Sequence, residues 1–532
     1  MFSKICSSRN LSMFSMSMRY NRAVVLLLLI GVTVMTVNIF ELRYLVGQLR
    51  EQTIKTVNER VGDAVVQEKK KTAPVVWFHA KDIEKGYLDH PIKVFERVGY
   101  VMKKDFPQKW DVLWSHEYPF TETKVYNMIR QMKPHQKVNK FPGSGFITNK
   151  ASLATSGFSF TPKAYKIPED KEKLLRDAKL KPNQLYVQKS NAHRGIFIRK
   201  IEEMDLSSKS KKVFVQEYVM DPLLIDGRKF DIGIYTVMTS VSPLRVYVYD
   251  EEALLRFCPK DYLPLDVTNT RQYVVADDYT PTWENEDLTL LISSVFQIPS
   301  LKKMYSDGQF SHKQSLNAFL RRKGFNYKKL WADINEAIVQ VYLNKKAEIL
   351  ATTRRYKSTR NFFEMVRFDF VVDSKMNVWL MEVNMSPNLS SAVHPPNKLL
   401  YEQVMYNLLS LIGVASLTPR TVVQSSPDEE IMKICYRDVQ VGYDICSGAD
   451  CSACKSDKCQ ICLQCRQQHQ TEFLYDAFLE HVHRRNFRRV FPRPLTQDKA
   501  NDDSIDYNTL PNDILMQKWF MLKCKDDASW CN

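Results

Sequence analysis

The clearest pattern of apolar and polar positions lies at 364–390. Two apolar runs, 368–372 and 378–383, flank the polar turn Asp373-Ser374-Lys375. That pattern predicts a β-hairpin. Glu382 and Asn384 are two residues apart on the second run, so they share one face. Asp369 on the first run can pair across from them. Three hard oxygen ligands at one end of a hairpin suit Mg²⁺, which is held by one or two carboxylates plus phosphate oxygens. An ordinary hairpin with polar ends is the plainer alternative. Against it, a carboxylate between Met381 and Val383 is costly to bury unless it is paired or metal-bound.

A different pattern occupies 23–40. This run carries no charged residue and no polar face, and it is just long enough to cross a bilayer as a helix. A cleaved signal peptide has a shorter apolar core and a small-residue exit, whereas this run leads into Glu41-Leu42-Arg43. The pattern predicts an uncleaved, single-pass membrane anchor. Lys4, Arg9, Arg19 and Arg22 precede it with no acid among them, while Arg43, Arg50 and Lys55 behind it mix with Glu41 and Glu51. The positive-inside rule counts only Lys and Arg, and leans to a cytoplasmic N-terminus in a type II arrangement.

The rest of the chain divides by pattern. Residues 1–22 are a short basic segment, 23–40 the anchor and 41–74 a charged stem. An N-terminal lobe spans 75–155, where Val98-Gly99-Tyr100 and the run 110–115 read as helix end, glycine cap and strand. A central lobe at 156–260 holds strand patterns at 185–189, 195–201, 213–218, 232–240 and 245–249. A C-terminal lobe at 261–418 carries the hairpin and helical patterns near 284–296, 329–350 and 397–412. A cysteine-rich stretch follows at 435–470, then a basic amphipathic helix at 471–495 and a tail at 496–532. Arg484, Arg485, Arg488 and Arg489 at that helix end are either partners of its dipole or a binding patch.

Composition narrows the class. The 532 residues are 44% hydrophobic and 26% charged, enough for a large core in two or three lobes. A net charge of +16 favours an acidic partner or an anionic surface. No zinc-finger spacing or RNA-binding signature accompanies it, so nucleic acid is not implied. Six of the eleven cysteines crowd into Cys446, Cys451, Cys454, Cys459, Cys462 and Cys465. Disulfides in an oxidising compartment and a zinc site in the cytosol are both open, and the anchor favours disulfides.

Further segments supply the parts of a phosphate site. Tyr186-Val187-Gln188-Lys189 is a strand ending in a lysine, followed by a polar loop and Arg194-Gly195. Such a lysine can neutralise phosphates while the loop closes over them. Gln216-Glu217-Tyr218-Val219 ends a strand whose backbone can pair with an adenine edge. Arg228-Lys229-Phe230-Asp231 follows, with Arg256 and Thr268-Asn269 further on. Taken singly, each is a weak signal.

Their order resembles the tubulin–tyrosine ligase-like family, and the resemblance spans about 90 to 495 with the cysteine cluster as an insertion. Its most specific stretches are Pro222-Leu223-Leu224-Ile225-Asp226-Gly227-Arg228-Lys229-Phe230-Asp231-Ile232 and 363–389. The resemblance implies an α/β (α+β) chain with the ATP-grasp fold, preceded here by the anchor. It implies an ATP-dependent ligase using ATP and two Mg²⁺ ions, which joins an amino acid, usually glutamate, glycine or tyrosine, to a protein carboxylate. Acidic tubulin tails would be the partner, glutamate the amino acid and an acyl phosphate the intermediate. By position, Lys189 and Lys229 match phosphate-side lysines and, with Arg256, the catalytic set. Gln216, Glu217, Tyr218 and Val219 match the adenine hinge. Asp231, Thr268 and Asn269 match nucleotide- or substrate-contacting places. Asp369, Glu382 and Asn384 match the metal ligands.

The chain departs from the family pattern in several places. Gly233 stands where an arginine usually follows Asp-Ile, and Arg367 stands where a glycine is usual. Glu217 replaces a hinge lysine, and Asp266 replaces a histidine. The missing arginine would hold an anionic substrate group, which glycine cannot. An active ligase, a nucleotide-binding pseudoenzyme and a ligase with a lumenal, non-tubulin acceptor are therefore all compatible with the residues.

Overall fold

A computed structural model of the chain describes residues 73–532, except 82, 191–195, 208–212, 276–297, 393–394, 416–431 and 501–509, together with residues 38, 41, 43, 45 and 48. The chain divides between Thr72 and Ala73, and the architecture is that of the second unit. The expected anchor, apart from Asn38, lies outside the described residues, as do the segment 1–22, nearly all of the stem and the helix expected near 284–296. Among the described residues no helix is long and apolar enough to cross a membrane.

Two four-stranded sheets and one seven-stranded sheet carry this mixed α/β unit. The first contains β1 (Val75–His79), β2 (Val101–Lys103), β3 (Val112–Ser115) and β4 (Lys137–Val138), all parallel in the order β2-β1-β3-β4. The continuous apolar runs of β1 and β3 suit a parallel sheet covered on both faces. Helix α1 (Asp89–Arg97) joins β1 to β2. It is followed by Gly99 at φ +90°, a left-handed turn that glycine adopts without strain.

The second sheet is antiparallel and contains β5 (Ala164–Ile167), β6 (Tyr186–Ser190), β7 (Phe197–Arg199) and β8 (Val213–Glu217), in the order β5-β8-β6-β7. Leu174 and Ala178 of α2 (Lys171–Leu180) pack against its Tyr165, Tyr186 and Val215.

The third sheet is the centre of the molecule. Its strands are β9 (Leu224–Ile225), β10 (Arg228–Val241), β11 (Leu244–Tyr249), β12 (Leu254–Phe257), β13 (Glu364–Val372), β14 (Val378–Asn384) and β15 (Phe487–Phe491). The path runs β14-β13-β10-β11-β15, and β9 and β12 also pair with β10. Strands from 156–260 and 261–418 thus share one sheet, and β13–β14 is the hairpin that the pattern predicts. Strand alternation divides the residues of β10 and β13 between two faces. Ile232, Ile234, Phe368 and Phe370 join a core with Leu316 and Leu320 of α3 (His312–Arg322) and Ile334, Ile338 and Tyr342 of α4 (Tyr327–Thr353). Tyr235, Val237 and Met365 join another with Val404, Met405 and Leu408 of α5 (Lys398–Leu411), and with Val76 and Phe78 of β1. Asp231, Gly233, Arg367 and Asp369 have the parity of this second face.

The C-terminal region differs from expectation in one element. The basic helix expected through 471–495 is shorter: α6 (Gln468–His483) ends there, Arg485 has φ +50°, and β15 then pairs with β11. Pairing with the sheet and burial of Phe487 and Phe491 override the local helical pattern, as tertiary context does for short segments. The arginines have structural partners. Arg489 stacks 3.9 Å from the Phe520 ring centroid and donates to Arg493 and Trp530 carbonyls. Arg485 donates to Ser410 and Tyr406, and Arg488 to the Arg485 carbonyl.

The clustered cysteines pair as Cys446–Cys462, Cys451–Cys459 and Cys454–Cys465, with Cys524–Cys531 beyond them. This corrects the zinc alternative, since the six thiols are spent on one another. Among the described residues no group of three or more His, Cys, Asp or Glu could hold a metal ion. Cys451, Cys459 and Cys462 pack with Leu474 of α6 and with Leu515 and Trp519 of α7 (Pro511–Asp526).

Two buried acids join this region to the central sheet. Glu480 of α6 accepts from Arg245 at 2.7 and 3.0 Å, Tyr247 at 3.0 Å and Thr239 at 3.0 Å. Asp513 of α7 accepts from the Leu244 backbone at 2.8 Å and pairs with Lys346 of α4. Glu480→Ala leaves the Arg245 charge buried without its carboxylate. We expect this to lower the unfolding free energy by about 3–5 kcal/mol, and the double variant Arg245→Met/Glu480→Leu to cost much less. Urea titration with the disulfides intact checks both; a loss below about 1 kcal/mol in Glu480→Ala would remove this contact from the stability argument.

Candidate active site

The site is a connected set of charges on the third sheet, facing the end of the second. Asp231 on β10 pairs with Arg256 on β12, and the strand register places them opposite each other. Arg256 donates Nε to Asp231 Oδ1 at 2.9 Å and Nη2 to Oδ2 at 2.6 Å. The same Nη2 reaches Asp369 Oδ2 on β13 at 2.8 Å. Arg367, two residues before Asp369, donates Nε to Oδ1 at 2.7 Å and Nη2 to Oδ2 at 3.0 Å. Carboxylates and guanidiniums thus alternate across three strands: Asp231, Arg256, Asp369, Arg367. Burial raises the Asp231 carboxyl, with Arg256 pulling it down and Asp369 pushing it up.

The hairpin adds its expected oxygens. Glu382 on β14 pairs in register with Asp369, and Asn384 with Arg367. Asn384 donates Nδ2 to Asp369 at 2.8 Å and to Glu382 at 3.1 Å. Sequence adjacency suggests no cation for Glu382, but the fold supplies one: Lys150 Nζ lies 2.7 Å from its Oε2. Burial alone would raise the Glu382 carboxyl; the charge and hydrogen bond of Lys150, aided by Asn384 and Lys189, instead bring it to about 2.

Two lysines complete the set. Lys189 on β6 donates to Gln216 Oε1 at 3.0 Å, and Gln216 in turn donates to the Pro162 carbonyl. Burial pushes Lys189 down to about 8, with Lys150 and Lys229 acting the same way and Glu382 opposing. Lys229 donates to the Tyr273 carbonyl at 2.9 Å and to Tyr218 OH at 3.3 Å, and its pKa is also lowered by burial.

The remaining expected residues are less central. The Glu217 carboxylate is engaged by Lys181 at 2.9 Å. Backbone N–H groups of Glu217 and Tyr218 donate to Lys163 and Leu185 carbonyls, and the Tyr218 carbonyl accepts from Gln184. Val219 lies two residues beyond the end of β8. Thr268 donates to Asp266, and Asn269 accepts from Arg271, so both close the turn at 266–272 rather than joining the carboxylates. Lys150 carries no sequence signal that marks it. Arg367 does: it interrupts an apolar strand.

The chemistry of this set suits a polyanion. Lys150, Lys189, Lys229, Arg256 and Arg367 outnumber Asp231, Asp369 and Glu382, and pre-placed cations in a sheltered site favour transferring phosphoryl groups. Asp369 and Glu382 stand in register at the end of the hairpin, and carboxylates so placed suit Mg²⁺; here Asn384 turns its Nδ2 to both, and Arg256 and Arg367 engage the Asp369 oxygens.

A model described as the tubulin-tyrosine ligase family matches residues 128–421. The chain belongs to the tubulin-tyrosine ligase family. "Probable tubulin polyglutamylase ttll-15" of Caenorhabditis elegans is 39% identical over 480 residues, covering 87% of this chain and 88% of its own. "Tubulin monoglutamylase TTLL4" of Homo sapiens is 29% identical over 314 residues, 56% of this chain and 25% of its own. "Tubulin polyglutamylase TTLL6" of Mus musculus is 26% identical over 337 residues, 59% of this chain and 38% of its own. The nematode match is longer than the family match, so it extends into sequence outside 128–421.

Glu382→Gln keeps the shape of the family site but removes a charge that attracts a cation. Thermal stabilisation by Mg·ATP should show an apparent affinity lower by about tenfold or more. Unchanged affinity would remove Glu382 from the metal site.

Proposed function

We propose that the protein is an ATP-dependent ligase with an ATP-grasp site, which adds glutamate to carboxylates on acidic protein tails, tubulin tails first among them. The observation that carries this reading is the surplus of cations around Asp231, Asp369 and Glu382, in a chain of this family. The relatives named as tubulin polyglutamylases and monoglutamylases support the amino acid and the acceptor.

In this reading ATP lies between the second and third sheets, with its base toward 216–219. Lys189 and Lys229 neutralise phosphate oxygens, and Arg256 holds charge beside Asp231. Asp369, Glu382 and Asn384 would hold Mg²⁺, which when bound offsets phosphate charge. The acceptor carboxylate attacks the γ-phosphorus, ADP leaves, and an acyl phosphate forms. The amine of the incoming glutamate then attacks the acyl carbon, phosphate departs, and the amine loses a proton. The cations stabilise charge on the transferring group, and the net charge of +16 draws acidic tails to the protein.

A second reading concerns the acceptor. Four disulfides belong to an oxidising compartment, and an anchor at 23–40 with a cytoplasmic N-terminus would put the ligase there. In that case the acceptor is a lumenal protein with an acidic segment. Protease protection in sealed microsomes separates the two: a protected domain supports the lumenal acceptor, and a digested one the cytosolic tail.

Incorporation of labelled glutamate into purified tubulin tests the reaction. ATP-dependent incorporation is expected, and Lys229→Met should lower kcat/KM by about a hundredfold or more, as loss of one charge-stabilising donor does. ATP binding without incorporation into tubulin or any acidic acceptor would leave a pseudoenzyme. The pH dependence follows from Lys189. Its cationic form is present below about 8 and lost above it. ATP affinity should therefore fall as pH rises from 7 to 9, and Lys189→Arg should flatten that fall; a flat profile in the native protein would remove Lys189 from the phosphate site.

A further inference from the structure

Gly233 and Arg367 fit each other. Gly233 on β10 pairs with Asp369 on β13, and Arg367 pairs with Tyr235. Residues two apart on a strand share a face, so Gly233, Arg367 and Asp369 all border the same patch. A Cβ placed on Gly233 would lie 2.9 Å from Arg367 Cδ, 3.3 Å from Arg367 Nε and 3.2 Å from Leu254 Cβ. The first distance is too short for any real side chain, so the arginine stem lies across the glycine. Gly233 is not among the residues with positive φ, and its backbone suits any residue. Space for Arg367 is what requires a glycine here.

Arg367 is 4% exposed and donates Nε and Nη2 to the two oxygens of Asp369. A forked guanidinium–carboxylate pair fixes orientation as well as charge. We propose that Arg367 is the positioning residue for Asp369 in this chain, with Gly233 giving its stem the space to cross from β13. Gly233 and Arg367 then act as one unit. This rests on the ligase reading above.

The experiment is a mutant cycle on the full chain, read by thermal stabilisation with ATP at varied Mg²⁺ and by glutamate incorporation as separate kcat and KM. Gly233→Arg and Arg367→Gly alone should each weaken Mg²⁺-dependent ATP affinity by tenfold or more. The double variant Gly233→Arg/Arg367→Gly should lose much less than the sum of the two single losses, because residues in contact are non-additive. A milder cycle covers the case in which Gly233→Arg does not fold. Gly233→Ala should weaken affinity in the native background, where its Cβ meets the arginine, and should have no further effect beside Arg367→Gly. Native-like affinity in Arg367→Gly, or purely additive losses in both cycles, would overturn the proposal while leaving the ligase reading intact. Absence of ATP binding by the native protein would overturn both.

Discussion

The site depends on the burial of opposite charges in alternation: Asp231, Arg256, Asp369 and Arg367. Breaking one buried pair leaves an uncompensated charge, which costs several kcal/mol. Each member therefore constrains its neighbours. Arg256 must stand opposite Asp231, and Asp369 must fall within reach of both guanidiniums, which fixes the register of β10 against β12 and β13. A slip of one residue would turn these charges toward the side of Ile232, Ile234, Phe368 and Phe370, the apolar core under α4, and the cost of burying them there excludes it. The same constraint positions the hairpin oxygens, because Glu382 and Asn384 pair in register with Asp369 and Arg367.

Local pattern was enough to find the hairpin, the strands expected at 185–189 and 232–240 and the long helix expected near 329–350, which the structure places at 186–190, 228–241 and 327–353. It was also enough to bring Asp369, Glu382 and Asn384 together. What it could not reveal depends on residues distant in the chain. Lys150 lies on a short helix, Lys150–Ala154, and only the fold carries it to Glu382. The strand 487–491 has the local look of a helix end and becomes a strand through its pairing with β11. Thr268 and Asn269 match the family by position, yet their bonds serve a local turn. The pairing of six cysteines has many arrangements that sequence does not distinguish.

The C-terminal region is joined to the site by the sheet itself. Glu480 binds β10 and β11 through Thr239, Arg245 and Tyr247, and β10 continues to Gly233 and Asp231. Arg245 is thereby committed to Glu480, far along the sheet from Gly233, and is not available as a substitute cation there. The disulfide-bonded Cys451, Cys459 and Cys462 pack with α6 and α7 in one cluster, so the acids that grip the sheet sit on a braced support. A redox environment that forms these bonds and a tubulin tail in the cytosol are hard to reconcile, so the compartment of this domain bears on the acceptor.

The consequence for reading such sites is about pairs, not positions. Glycine at 233, taken alone, looks like the loss of a catalytic cation. Arginine at 367, taken alone, looks like a charge forced into an apolar strand. The two are adjacent, and each accounts for the other: the arginine needs the space and the glycine provides it. In this chain the stem of the fork on Asp369 begins on β13 and lies across Gly233, so the fork's orientation depends on the space beneath it. Substitutions on neighbouring strands of a buried charge array are therefore judged by what they do to charge and volume across the patch.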